Sequence, residues 1–170
     1  MMQEIPVLGA GELAPERLEQ ANINPKTGLA TDYLNHFNEV VMLLEMMPAM
    51  PDVAADVLEW TPADYETHFE NSSFSDKQLA VLAFHAAPAK LRDKLLSVVS
   101  EINAAVQASQ DQIRGAADPS EIAMQLAETA TNEIKPLISM ASGVIHGHIG
   151  GKAIVHEGEG AQAEIDAMFA

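Results

Sequence analysis

The stretch Asp32-Tyr33-Leu34-Asn35-His36-Phe37-Asn38-Glu39 concentrates more polar chemistry than any other helical part of the chain. At helical spacing Asp32, Asn35, His36 and Glu39 lie three and four residues apart and share one face, presenting an acid, an amide, an imidazole and a second acid. An acid and an amide so placed can orient a water molecule, whereas Asp32, His36 and Glu39 could each lend a ligand to a metal. The plain alternative is a solvated helix face. The Asn-His-Asn run argues against helix propensity as its only reason, because Asn is a poor interior helix former.

The metal alternative lacks its usual partners. Carboxylate-bridged bundle sites use Glu-x-x-His on two helices, and that spacing occurs nowhere in the sequence. His36, His68, His85, His146, His148 and His156 are scattered over separate segments. No metal ligands are assigned. The stretch Gly147-His148-Ile149-Gly150-Gly151-Lys152 lacks phosphate-loop spacing, and there is no Gly-x-Ser-x-Gly turn. Cysteine is absent, which removes disulfides and thiolate chemistry. The Met-rich run Met42 to Met50 reads as core and helix end.

The elements that must carry these residues are helical. Apolar residues make up 48% of the 170 and aromatics only 5%, so the core is built from aliphatic and methionine side chains, which favours packed helices over sheet. The expectation is an all-α fold: a helical bundle containing a long antiparallel helical hairpin, with a flexible linker to a C-terminal helix. Residues 1–28, rich in Pro and Gly, form an N-terminal arm with at most a short helix near Pro15 to Ala21. A bundle domain spans 29–146.

Within that domain Leu29, Tyr33, Phe37, Val40, Leu44 and Met47 draw one apolar stripe, ended by Pro48 to Pro51. A shorter segment follows from Asp52 to Trp60, and Thr61-Pro62 is expected to restart a turn or two. Ser75 and Gln78 have capping-box spacing ahead of a helix that stops near Pro88. Leu91, Leu95, Val98, Ile102, Val106 and Ile113 then form a long stripe closed by Gly115. Asp118-Pro119-Ser120-Glu121 reads as the start of a last helix running to about Val144, kinked at Pro136. The short loop between these long helices suggests an antiparallel hairpin. Residues 147–160 read as a Gly-rich linker, in which a strand-like Lys152 to Glu157 has no evident partner.

Nine Lys and Arg against 25 Asp and Glu give a formal charge of −16, which repels nucleic-acid backbones and anionic lipid. A protein partner with a basic patch is favoured instead. The N-terminal residues show no export signal and no run approaches about 18 apolar residues, so the expected compartment is the cytoplasm.

After the linker, Ile165, Met168 and Phe169 recur at helical spacing, so residues 161–170 form an amphipathic docking helix suited to a partner's groove. The terminal Ala161-Gln162-Ala163-Glu164-Ile165-Asp166-Ala167-Met168-Phe169-Ala170 resembles the segment with which flagellar switch proteins of the FliM type bind the phosphorylated response regulator CheY. The resemblance implies partner binding by Gln162, Glu164, Ile165, Asp166, Met168 and Phe169. Hairpin, linker and terminal helix together resemble the layout of the CheZ-like chemotaxis phosphatases, and Asp32 to Val41 loosely resembles their phosphatase helix.

The resemblance implies a protein aspartyl-phosphate phosphatase in which an amide orients the attacking water and an acid contacts the receiver's lysine. Asn35 would act with either Asp32 or Glu39. No cofactor of its own is implied, since Mg2+ belongs to the partner receiver domain. A homodimer through the hairpin is a further implied association. Two alternatives stand beside this: a non-catalytic receiver-binding adaptor or phosphate-signal sink, and a metal-binding helical-bundle protein.

Overall fold

The computed structural model describes residues 7–72, 76–149 and 152–153. The expected docking helix at 161–170, most of the 147–160 linker and the capping residue Ser75 lie outside the described residues.

The described chain is mainly α-helical. Its helices are α1 (Pro15–Gln20), α2 (Asn35–Met46), α3 (Ala54–Glu59), α4 (Tyr65–Asn71), α5 (Lys77–Ala86), α6 (Ala89–Gly115), α7 (Ala123–Thr129) and α8 (Lys135–Ile145). Short 3-10 turns precede α1, α2, α3 and α7, and a π-helical turn, Ala130–Ile134, joins α7 to α8. Two strands of two residues follow, β1 (His148–Ile149) and β2 (Lys152–Ala153), paired antiparallel. The strand-like sequence at Lys152 therefore has a partner in His148–Ile149. Among the described residues no helix is long and apolar enough to cross a membrane.

The fold divides into two compact units. The first comprises Met1–Tyr33, Tyr65–Leu96 and Ser142–Ala170 in its described parts. Leu13, Leu18 and Ile23 of the N-terminal arm are fully buried there, so the arm is core material despite its Pro and Gly content. The arm is fixed by side-chain capping of its own backbone. Asn24 Oδ1 accepts from the amides of Lys26 and Thr27, and the buried Thr27 hydroxyl donates to the Ile145 carbonyl at 2.7 Å while accepting from the Leu29 amide. Gly28 sits at φ +73°, where a Cβ would lie 2.6 Å from the Ala83 carbonyl oxygen, so glycine is required both by conformation and by the approach to α5.

The same unit gathers Tyr33, Tyr65, Phe69 and Phe84, with Tyr65 stacked on Phe84 at 4.4 Å and tilted against Phe69 at 4.8 Å. Arg92 closes the end of α5, its guanidinium donating to the carbonyls of His85 and Ala87 at 3.2 and 3.1 Å. Those carbonyls lack helical amides, and a cation at a helix C-terminus also meets the favourable end of the dipole.

The second unit comprises Leu34–Asp64 and Ser97–Ala141. Here α2 packs on α3, on α7 and on the π turn. Phe37, Val40, Leu44 and Met47 are fully buried, as the stripe requires. The helix itself begins at Asn35 and not at Leu29. The backbone ahead of it bonds elsewhere: the Leu29 carbonyl accepts from Asn24, and the Ala30 amide donates to the Tyr65 hydroxyl at 2.8 Å.

The last helical segment starts where the sequence places it, with Asp118 Oδ1 accepting from the Ser120 amide at 3.0 Å. That bond holds the Asp118 carboxyl below the usual carboxylate range. Just ahead of Pro136, where the sequence suggests a kink, the chain passes through the π turn. Pro136 has no amide and its ring would meet the carbonyl four residues back, and the wider turn relieves both problems. Glu45 of α2 fastens this turn, accepting from the Thr131 hydroxyl at 2.7 Å and pairing with Lys135 at 2.9 Å. The Thr131 hydrogen bond first, then Lys135, lowers the Glu45 pKa.

Candidate functional site

Asn35 and Glu39 lie one turn apart on α2 and both are exposed, so an amide and a carboxylate project from the same face of one helix. His36, between them, is half-buried. Its Nε2 donates to the Thr61 carbonyl at 2.7 Å, which fixes the proton on that nitrogen. Its ring stacks on Trp60 with centroids 4.7 Å apart and planes 28° from parallel. Trp60 answers with its own donor, Nε1 to the His36 carbonyl at 2.9 Å. Ring and backbone of one residue are thus held by two consecutive residues beyond α3.

Trp60 is anchored in turn. Gln110, buried on α6, donates from Nε2 to the carbonyls of Val57 and Trp60 at 2.9 and 2.8 Å. It adds a donor at the end of α3, where the Val57 carbonyl has only the capping Trp60 amide at 3.2 Å. Phe37 is tilted against Trp60, with ring centroids 6.1 Å apart. Beside it Glu39, Leu43, Asp56, Glu59 and Trp60 line a cleft of about 360 Å³. Glu39 thus faces a recess whose other charged walls are also acidic.

Asp32 belongs to the first unit and lies on the 3-10 turn Thr31–Leu34, outside α2. Its Oδ2 accepts from His68 Nε2 at 2.9 Å. His68 is largely buried, edge-on to Tyr33 and to Phe69. Nearby Tyr65 has its pKa pushed upward, chiefly by burial, which disfavours the phenolate. A second histidine pair ties α4 to α5, with His85 Nε2 2.6 Å from Glu66 Oε1.

The structure therefore brings Asn35, His36 and Glu39 onto the first turns of α2 and gives Asp32 a histidine partner in the other unit. Gln162, Glu164, Ile165, Asp166, Met168 and Phe169 lie outside the described residues. Among the described residues no three His, Asp or Glu side chains converge to hold a metal ion. No local pattern in the sequence marks Trp60, Thr61, His68 or Gln110 as part of this site. Their partners are 24 to 53 residues away, beyond any local period. The one signal open to inspection was that the chain's single tryptophan ends an apolar segment and needs a partner for its N–H.

Compared with known protein families, with characterised proteins and with solved structures, the chain matches none.

Proposed function

We propose that this chain is a cytoplasmic CheZ-like protein that captures a phosphorylated CheY-like receiver domain with residues 161–170 and promotes hydrolysis of its aspartyl phosphate. The observation that carries the reading is the terminal sequence Gln162 to Phe169, with its apolar anchors Ile165, Met168 and Phe169 and its acids Glu164 and Asp166. The exposed Asn35 and Glu39 support the catalytic part.

In the reaction, water attacks phosphorus in line, the P–O bond to the receiver's aspartate breaks, and carboxylate and inorganic phosphate leave. A carboxamide such as that of Asn35 carries both donor and acceptor atoms, the chemistry that orienting a water requires. Positioning and electrostatics supply most of such catalysis. Glu39 is the favoured acid toward the receiver's lysine, because the Asp32 carboxylate is already engaged by His68. The receiver's Mg2+ balances the phosphoryl charge. An antiparallel hairpin of α6 with the α7–α8 segment, and a homodimer formed through it, belong to the same reading.

The non-catalytic adaptor uses the same terminal residues, and the engagement of Asp32 is the observation in its favour, since it leaves only one acid for catalysis. Removing residues 160–170 tests the shared part. The dissociation constant for a receiver carrying a stable phosphoryl mimic should rise at least about tenfold, a loss of roughly 1.4 kcal/mol. An unchanged constant refutes the docking claim.

A further inference from the structure

We infer that His36 and Trp60 form a positioning clamp that presents Asn35 to its substrate; the inference rests on the phosphatase reading for its consequence and on geometry for its existence. Asn35 opens α2 directly after the 3-10 turn Thr31–Leu34, at a junction between two helical forms, and Leu34, in helical conformation, makes no side-chain cap bond there.

A hold on this junction comes from beyond α3. The His36 imidazole is fixed in position by donation to the Thr61 carbonyl and in orientation by the Trp60 ring. The Trp60 indole N–H closes the loop on the His36 carbonyl, within the same first turn. Three contacts thus converge on the residue after Asn35. They constrain the backbone that carries the amide, at a residue that is itself exposed. Gln110 steadies the clamp from behind by holding the Trp60 carbonyl. His36 and Trp60 act through Asn35, so they are positioning residues and not catalytic ones.

This assigns His36 a role that neither a solvated face nor a metal ligand provides. The chemistry of orienting water tolerates little slack, since a misplacement of about 1 Å can cost on the order of a hundredfold in rate. Loosening the first turn should lower turnover and leave capture by residues 161–170 untouched.

The test uses the full chain with His36→Ala and Trp60→Phe, the latter keeping a smaller aromatic ring and deleting the N–H donor. Leu95→Ala, buried on α6 in the first unit and without a bond to the clamp residues, controls for lost stability. For receiver dephosphorylation, kcat should fall roughly ten- to a hundredfold in both clamp variants, with KM unchanged, while Leu95→Ala keeps the wild-type kcat. Nuclear relaxation of the Asn35 side-chain amide gives a readout independent of activity: its order should drop in both clamp variants and persist in Leu95→Ala. Retained order in His36→Ala overturns the clamp, whether or not the wild type is a phosphatase. Wild-type kcat in both clamp variants, with Asn35→Ala inactive, overturns it equally. A wild type that never accelerates dephosphorylation sinks the phosphatase reading alone, and the relaxation data still decide the clamp.

Discussion

Replacing Gln110 by leucine probes the support on which the α2 site rests. Leucine is close in volume, so the substitution deletes donors without opening a large cavity. Two bonds are lost, to Val57 and Trp60. The Val57 carbonyl keeps the Trp60 amide as a donor at 3.2 Å, so the larger loss falls on the Trp60 carbonyl. Each net bond is worth about 0.5–1.5 kcal/mol and an orphaned buried carbonyl adds about 1–3 kcal/mol, while the greater apolarity of leucine returns part of this. The expected cost is about 2–3 kcal/mol, equivalent to a fall in Tm of about 5–10 °C for a chain of this size. Trp60 is the sole tryptophan, so urea denaturation followed by its fluorescence reads the perturbed locus directly. The native emission should also shift to the red as the indole loosens from His36. A midpoint within error of wild type, with unchanged emission, would refute the anchoring argument.

Two further perturbations act in the first unit. Burial raises the Tyr65 pKa in the folded state, so the unfolded chain releases that proton first; stability is intact below about pH 10 and falls as pH rises beyond it. Urea midpoints between about pH 8 and 11 should show this slope in wild type and lose it in Tyr65→Phe, which is also less stable at neutral pH by about 1–3 kcal/mol because the Ala30 amide is orphaned. Gly28→Ala should cost roughly 2–4 kcal/mol, from left-handed strain plus displacement of the Ala83 carbonyl. Gly9→Ala is the control, because Gly9 also has positive φ but nothing within 4 Å of its missing Cβ; its midpoint should move by only about 1–2 kcal/mol.

The apolar stripes were legible because burial follows period. All six residues from Leu29 to Met47 are buried, and so are Leu91, Leu95, Val98, Ile102, Val106 and Ile113. Local backbone chemistry was legible where the partner is near, as at Asp118 with Ser120, at Pro88 between α5 and α6, and at Pro136 after the π turn. It failed where the partner is distant. The stripe runs back to Leu29, yet Asn24 and Tyr65 claim the backbone there, so α2 starts six residues later and Asp32 lies outside it. Thr61-Pro62 does not start a helix; α4 begins at Tyr65, and the Thr61 carbonyl serves His36 instead. Gly and Pro in the N-terminal arm masked Leu13 and Leu18, because punctuation reports conformation and not burial. For the site, the amide and acid of Asn35 and Glu39 were visible as helix spacing. The clamp that fixes them depends on pairings across 24 and 25 residues, which no periodicity encodes.

The phosphoryl lifetime of a CheY-like receiver tests the central claim most directly. The receiver is labelled on its aspartate in the presence of Mg2+ and followed alone, with the wild-type chain and with Asn35→Ala. The wild type is expected to shorten the lifetime, and Asn35→Ala to return it to the receiver's own value while binding is retained. A lifetime unchanged or lengthened by the wild-type chain would contradict it.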